Sequence, residues 1–142
     1  MIAFDTNILI YAHRAGTPRH KAAQKAIELA CDTAPCGIAI SSLCEFWSIV
    51  THKTASGRPS TLEEANSFIA TLVAQVGLQV WQPGVDFGPR LLQLARDLSV
   101  SGVRIFDLQI ALMAFENGAT EIWTHDRNFV SLPGLHVRDP IS

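Results

Sequence analysis

The chain begins with MIAFDTNILI (residues 1–10), in which a short apolar run leads through Asp5 into a second, longer apolar segment. A short apolar run is typical of a buried strand, and a longer run with 3.6-residue periodicity is typical of a helix. These ten residues therefore predict a strand over 2–4, followed by a helix that begins at Thr6 and ends at His13.

The same alternation of short and long apolar segments continues through the remaining sequence. Residues 55–59 contain the glycine and proline that are typical of a loop, and Thr61 begins a Thr-Leu-Glu-Glu segment with the form of a capping box. The pattern predicts further strands over 37–40, 78–81, 121–124 and 135–137, and further helices over 18–31, 42–54, 61–76, 86–98 and 105–117.

Strands that alternate with helices are joined by right-handed crossovers, which place parallel strands in one sheet with helices on both faces. We therefore predict an α/β fold, an α/β/α sandwich with a central parallel sheet of four to five strands that is related to the Rossmann fold. The length of 142 residues predicts a single domain over 1–142. In such a sheet, ligands bind beyond the carboxyl ends of the strands, where the strand order reverses.

The composition excludes several classes of protein. Hydrophobic residues make up 48% and charged residues 17% of the chain, so we expect a substantial core and no extensive disorder. No apolar run approaches the roughly 20 residues of a membrane-spanning helix, and no signal-type segment precedes Asp5, so we expect a cytoplasmic protein. The three cysteines, Cys31, Cys36 and Cys44, form no C-x-x-C pair, and we expect buried thiols rather than a disulfide or a zinc site.

The net charge of −2, from 11 basic and 13 acidic residues, argues against a protein that holds nucleic acid by bulk positive charge. Four acids, Asp5, Glu45, Asp107 and Asp126, lie near predicted strand ends or helix starts. Removing these four negative charges from a net charge of −2 leaves a body of +2. A mildly basic body around an acidic site suits a polyanionic substrate that is approached through metal ions.

The crossover topology brings the ends of these elements to one side of the sheet, so we expect the four carboxylates to converge. Converging carboxylates raise one another's pKa unless a cation lies among them, and Mg²⁺ and Mn²⁺ are cations that prefer oxygen ligands. The sequence therefore predicts a divalent metal site.

Each acid also has a purely structural interpretation. Asp5 is placed to cap the helix that follows it, and Asp126 to cap the short turn that follows it. Glu45 follows Ser42 with capping-box spacing, which taken alone is the better explanation of that residue. Asp107 has the weakest structural explanation, because its helix is apolar on nearly every side. The coincidence of four such acids favours the metal site.

The settings of these acids, MIAFDTNILI, ISSLCEFW, RIFDLQIALMA and WTHDRNF, resemble the signature of the PIN domain, and most closely the VapC-type toxin ribonucleases of bacterial toxin–antitoxin pairs. The resemblance covers essentially the whole chain. It implies metal-dependent hydrolysis of RNA phosphodiester bonds, with one or two Mg²⁺ or Mn²⁺ ions held by the four acids. It also implies polar support around that site from Thr6, Asn7 and Thr124.

One position departs from the family pattern, because many relatives carry a second acid where this chain has Asn128. An amide oxygen ligates a divalent cation more weakly than a carboxylate, so the choice between one and two ions stays open. An alternative function also stays open, in which the domain binds RNA or protein without cutting it. Arg104 and Arg127 are candidates for holding a substrate phosphate, because a planar guanidinium suits bidentate contact. Salt bridges to the neighbouring acids are the alternative for both arginines.

The resemblance implies two protein partners, namely a small VapB-type antitoxin whose tail covers the acidic groove and a second copy of the chain in a homodimer. Four apolar residues could line such a surface, although their helical spacing favours the core. They are Trp47, Ile49, Phe68 and Leu72. Trp81 and Trp123 lie in predicted strands and are assigned to the core.

Overall fold

The computed structural model describes residues 1–53 and 57–142. It contains a five-stranded sheet in which every neighbouring pair of strands is parallel. The strands are β1 (Ile2–Phe4), β2 (Cys36–Ala39), β3 (Gln79–Trp81), β4 (Glu121–Trp123) and β5 (His136–Arg138), arranged in the order β3-β2-β1-β4-β5. The predicted parallel sheet is confirmed, and each strand lies within one residue of its predicted bounds.

The helices of the described residues correspond to the predicted ones. They are α1 (Thr6–His13), α2 (His20–Thr33), α3 (Ile40–Thr51), α4 (Leu62–Thr71), α5 (Phe87–Asp97) and α6 (Arg104–Glu116). The helix predicted over 61–76 is divided, because its last part widens into a π-helical turn, Leu72–Val76, that ends at Gly77 with a φ of +72°. The end of the helix predicted over 42–54 and part of the loop predicted over 55–59 fall on residues 54–56, outside the described residues. None of the helices in the described ranges combines the length and the apolar character that crossing a membrane requires.

Side chains of the sheet alternate between two apolar layers. Phe4 and Trp123 belong to the layer formed with α1, α2 and α3, whereas Ala3, Trp81 and Ile122 belong to the layer formed with α5 and α6. Because successive residues of a strand face opposite sides of a sheet, even these short strands serve both layers. The predicted α/β/α sandwich is confirmed, and so is the burial of both strand tryptophans.

Of the four apolar helix residues whose spacing favours the core, two are partly buried and two are exposed. Phe68 and Leu72 are partly buried and pack against the layer of α1 and α2. The prediction that Trp47 and Ile49 lie in the core is wrong, since both are exposed on α3. Helical spacing shows which residues share a face, but burial depends on whether another element covers that face.

The strand order reverses beside β1, because β2 and β3 follow on one side of it and β4 and β5 on the other. The carboxyl ends of β1 and β4 therefore border the crevice in which open α/β sheets bind their ligands. Asp5 follows β1 directly and Thr124 follows β4 directly. This is the edge of the sheet at which the sequence predicts the site.

The two predicted capping boxes have different outcomes. Thr61 caps α4 as predicted, since its hydroxyl accepts from the Glu64 N–H at 3.1 Å and the Glu64 carboxylate accepts from the Thr61 N–H at 2.9 Å. The capping box predicted for Ser42 and Glu45 is wrong, because α3 begins at Ile40, directly after β2, and Ser42 lies inside its first turn. Within the described residues, the exposed Glu45 carboxylate makes no hydrogen bond or ion pair.

The prediction of three buried thiols is wrong. Cys31, near the end of α2, and Cys36, at the start of β2, form a disulfide with their Cα atoms 5.4 Å apart. Cys44 is a free cysteine and is exposed on α3. The short connection from α2 into β2 brings the first two cysteines together, and that approach depends on the turn rather than on a spacing motif.

Replacing Cys31 by serine is expected to lower the free energy of unfolding by about 2 kcal/mol under oxidising conditions, because a short closed loop constrains the unfolded chain. Thermal unfolding with and without reductant measures this effect. Reduction should destabilise the parent protein by a similar amount and leave the variant unchanged. Cys44→Ser is the matched control and should unfold like the parent. Equal midpoints for the oxidised parent and the Cys31→Ser variant would contradict a stabilising disulfide.

Candidate active site

Asp5 lies at the junction between β1 and α1 and is buried there. Its backbone N–H donates to the carbonyl of Trp123 at 3.0 Å, which ties the junction to β4. Its Oδ1 accepts from the backbone N–H of Thr6 at 2.8 Å, so Asp5 is the N-cap of α1, as its structural interpretation predicts. Its Oδ2 accepts from the Thr124 hydroxyl at 2.8 Å and the Asn7 amide at 3.2 Å. The buried Thr6 hydroxyl has no hydrogen-bond partner within the described residues.

Asn7 and Thr124 join the segments that follow β1 and β4. The Asn7 amide also donates to the Thr124 hydroxyl at 2.9 Å, and the Asn7 side-chain oxygen accepts from the backbone N–H of His125 at 3.0 Å. The Thr124 hydroxyl accepts from the backbone N–H of Asp126 at 3.1 Å. Both side chains therefore contact Asp5 directly and fix its orientation.

The pKa of Asp5 is raised from an ordinary 3.8 to about 6, chiefly because burial disfavours the charged carboxylate. Hydrogen bonds from Thr124 and from the Thr6 N–H hold the pKa down, while the negative charges of Glu45 and Asp107 raise it further. No cationic side chain is among these causes. A positive charge close to the carboxylate would lower its pKa. Within the described residues, Asp107 is the one of the four acids with a cationic partner, Arg104 at 3.6 Å, so the site keeps an excess of negative charge.

The other three acids of the predicted site lie on different elements of the fold. Glu45 is exposed on α3, and Asp107 is partly buried in the first turn of α6, where its Oδ2 accepts from the Val130 N–H at 3.3 Å. Asp126 is exposed after β4, and its Oδ1 accepts from the Asn128 N–H at 2.9 Å. The predicted turn cap at Asp126 is confirmed. A carboxylate that accepts one backbone N–H keeps further lone pairs for a ligand.

The structure brings Asp5, Glu45 and Asp107 into one electrostatic neighbourhood, since the last two raise the pKa of the first. Asp126 is connected to Asp5 by its backbone N–H, which donates to the Thr124 hydroxyl, and not by its carboxylate. In residues 1–53 and 57–142, no three His, Cys, Asp or Glu side chains are placed closely enough to hold one ion. The chemistry of the donors still fits a hard divalent cation, because all four are carboxylates and the buried one lacks a positive partner.

The two candidate phosphate-binding arginines are held differently. Arg104 Nη1 lies 3.6 Å from Asp107 Oδ2, and the same nitrogen donates to the carbonyl of Asn128 at 2.9 Å. The salt-bridge alternative is therefore confirmed for Arg104. Arg127 is exposed and makes no hydrogen bond or ion pair in the described part of the chain. Of the two guanidinium groups, that of Arg127 is the one available to a ligand.

Sequence reasoning missed a pair of residues beside the acids. His125 Nδ1 lies 2.8 Å from Asp139 Oδ2, and the His125 ring packs edge-on against Tyr11 with centroids 5.9 Å apart. Asp139 follows β5 directly, as Asp5 follows β1, so the rule that identified Asp5 also applies to this residue. The pair holds the segment after β4 against the segment after β5.

The sequence model of the PIN domain family matches residues 2–135, nearly the whole chain. The chain belongs to the PIN domain family. Over 99% of its length, this PIN domain is 32% identical to VapC ribonuclease Mb2897 of Mycobacterium bovis, 96% of which is covered. Ribonuclease VapC43 of Mycobacterium tuberculosis shows the same identity and coverage. An identity of this level across the full domain places it among the VapC ribonucleases, as the sequence motifs predict.

Solved structures also show the fold of this PIN domain. VapBC2 from Rickettsia felis, crystallised with a DNA fragment from its promoter, contains a chain with a TM-score of 0.70 and 20% identity over 98% of both chains. VapC20 from Mycobacterium tuberculosis, described as a toxin that cleaves the sarcin–ricin loop, has a TM-score of 0.66 and 17% identity. That match covers 91% of this chain and 92% of VapC20. At these identities the likeness concerns the fold alone.

Proposed function

We propose that residues 1–142 form one nuclease domain that hydrolyses RNA phosphodiester bonds with Mg²⁺ or Mn²⁺ and acts as the toxin of a VapBC-type pair in the cytoplasm. The observation that carries this proposal is the buried Asp5 carboxylate at the strand-order reversal, whose pKa is raised by Glu45 and Asp107 and which has no cationic partner of its own in the described residues. The sequence identity of the chain to VapC ribonucleases supports the same reaction and substrate class.

In this proposal, Asp5, Asp107 and Asp126 bind one or two ions, and Glu45 binds directly or through water. A bound divalent cation supplies Lewis acidity, which activates water and neutralises charge at the phosphorus and the leaving oxygen. The chain's own hydrogen bonds do the positioning, since Thr124 and Asn7 hold Asp5 in one orientation.

The two arginines have different proposed roles. Arg104 holds Asp107 and the Asn128 carbonyl in place, so it is a positioning residue for that side of the site. Arg127 is exposed next to Asp126 and is proposed to contact a substrate phosphate. Asn128 donates its backbone N–H to Asp126, and its side chain is proposed to give only weak support to a second ion.

The partners are proposed from the family. The structure from Rickettsia felis is one of VapBC2, and we propose that the present chain also has a small VapB-type antitoxin, which covers its acidic groove. We also propose that the toxin forms a homodimer. Trp47 and Ile49 are exposed on α3 and supply apolar surface that a protein partner can cover.

Replacing Asp107 by asparagine is expected to reduce cleavage of a structured RNA to the level seen in EDTA, because it removes one ligand charge without removing volume. Cleavage with Mg²⁺, with Mn²⁺ and with EDTA, followed on denaturing gels, measures the effect. Asp97→Asn, the same change in an exposed residue of α5, is the matched control and should cut at the parent rate. Full activity in EDTA would overturn the metal-dependent proposal. RNA binding without cleavage under every condition would favour the non-catalytic alternative.

A further inference from the structure

A small cavity of about 260 Å³ lies next to the acidic edge, on the side of the sheet that carries α2. Its walls come from one face of α2, from the last residues of β4 and β5, and from the segment that follows β5. The residues that carry the argument are Lys25, Leu29, Trp123, Arg138 and Pro140. We refer to this cavity as the α2–β5 pocket.

The charged side chains that line the α2–β5 pocket are both cationic. Lys25 and Arg138 are exposed, and neither forms an ion pair within the described residues. Asp139, the acid next to Arg138 in sequence, is occupied by His125 at 2.8 Å. The pocket therefore carries two positive charges that no carboxylate of the described chain neutralises.

Trp123 forms one wall of the same pocket. The Arg138 guanidinium lies over the Trp123 ring, 4.7 Å from the ring centroid, which holds the cation at the wall of the pocket. The indole N–H of Trp123 is enclosed by protein atoms and has no acceptor in the described residues, so a ligand in the pocket does not reach it without local rearrangement. The two exposed cations are the groups of the pocket that can bind an oxyanion.

The α2–β5 pocket and the acids share the carboxyl edge of the sheet. Trp123 and Arg138 are the last residues of β4 and β5 and are paired in register. The Trp123 carbonyl accepts from the Asp5 N–H, and the next residue, Thr124, donates to the Asp5 carboxylate. The pocket and the acids are therefore joined through the backbone at the carboxyl ends of β1, β4 and β5.

We propose that the α2–β5 pocket binds a backbone phosphate of the RNA that flanks the phosphate being cut. The proposal rests on the nuclease function and deepens it by locating a substrate subsite. A chain of net charge −2 with an acidic site repels RNA, so cations beside the site are needed to hold the substrate. A phosphate oxyanion can accept from the guanidinium and the ammonium together.

Arg138→Gln and Lys25→Gln test the proposal. Binding of a short fluorescein-labelled RNA of mixed sequence is measured by fluorescence anisotropy in EDTA, which prevents metal-dependent cleavage, at about 50 to 200 mM salt. Each variant is expected to bind several-fold more weakly than the parent, and its salt slope should fall by about 0.7 for the lost phosphate contact. Arg96→Gln, an exposed arginine of α5 with no ion pair in the described residues, is the matched control. Lys25→Gln preserves the stacking of Arg138 on Trp123. It therefore tests the pocket even if Arg138→Gln fails to fold.

A second readout comes from the indole N–H resonance of Trp123 in nitrogen-15 NMR spectra. It is expected to shift on addition of the RNA and, at higher concentration, of inorganic phosphate. Parent-like RNA affinity and salt slope in both pocket variants would overturn the proposal, even if the protein cuts RNA. The proposal would also be overturned if the indole resonance shifted with inorganic phosphate but not with RNA. It would be overturned too if the pocket variants bound a polyglutamate peptide more weakly than the parent but bound RNA equally well. If the parent binds RNA through the pocket but never cuts it, the nuclease function fails and the subsite stands.

Discussion

Asp5→Asn is expected to abolish RNA cleavage and, at the same time, to make the metal-free protein more stable at neutral pH. Activity is lost because the proposed mechanism uses this buried carboxylate as a metal ligand. Stability rises because the charged form of Asp5 is disfavoured by its burial and by Glu45 and Asp107. An amide of the same size has no charge to bury.

The pH dependence has a definite sign. The folded protein holds the Asp5 proton more tightly than the unfolded chain, since the pKa is about 6 rather than 3.8. The contribution of Asp5 to the stability of the parent should therefore be greatest below about pH 4, fall between about pH 4 and 6, and be level above pH 6. Two pKa units correspond to about 3 kcal/mol. The NH₂ group of an asparagine at this position cannot accept the hydrogen bonds that Thr124 and Asn7 donate to the carboxylate, which costs part of this energy. The expected net gain in stability at pH 7 is therefore about 1–2 kcal/mol.

Denaturant unfolding in EDTA between pH 4 and 8 measures this difference. The parent should be more stable than Asp5→Asn at low pH, and the two curves should cross so that the variant is the more stable protein at pH 7. Mg²⁺ should stabilise the parent at pH 7 and have little effect on the variant, because ligand binding stabilises only the form that binds. Asp97→Asn should show the parent's pH profile. A stability difference between the parent and Asp5→Asn that does not change between pH 4 and 6 would contradict the raised pKa.

Gly37→Ala is expected to destabilise the fold by about 3 kcal/mol, because β2 and β3 leave no space for a methyl group at this position. An added Cβ would lie against Cζ2 of Trp81, 2.5 Å from its Cε2 and 3.0 Å from the carbonyl oxygen of Gln79. The Trp81 ring is buried, and its indole N–H donates to the Gln79 side chain at 3.0 Å. The ring therefore cannot move aside without losing packing and a hydrogen bond.

The measurement is thermal or denaturant unfolding of Gly37→Ala beside Gly16→Ala. An added Cβ at Gly16 meets no atom within 4 Å, so this second variant carries the same chemical change without the clash. The midpoint of Gly37→Ala should fall by roughly 10 °C, and that of Gly16→Ala should change little. Similar midpoints for both variants would show that the contact between β2 and β3 is looser than the structure describes.

Much of the fold follows from local apolar pattern. The strand over 2–4 and the helix from Thr6 to His13 are read directly from MIAFDTNILI, because burial and periodicity act within a few residues. The positions of Asp5 and Asp126 follow from the rule that ligands bind at the carboxyl ends of parallel strands. These inferences need no knowledge of which elements meet across the core.

The features that the sequence did not predict depend on contacts between distant elements or on backbone geometry. The disulfide between Cys31 and Cys36 requires the turn from α2 to β2, which five residues of sequence do not specify. Trp47 has the spacing of a core residue but is 37% exposed, because the elements packed around α3 cover it only in part. The contact of His125 with Asp139 depends on β5 pairing beside β4.

The hydrogen bonds of Asp5 limit its coordination capacity. A carboxylate offers about four lone-pair directions, two on each oxygen. Oδ2 already accepts from Thr124 and Asn7, and Oδ1 accepts from the Thr6 N–H. One direction, on Oδ1, is left vacant. Asp5 would therefore offer Oδ1 to a metal ion, and freeing Oδ2 as well would require release of the Asn7 amide, the longest of its three contacts at 3.2 Å.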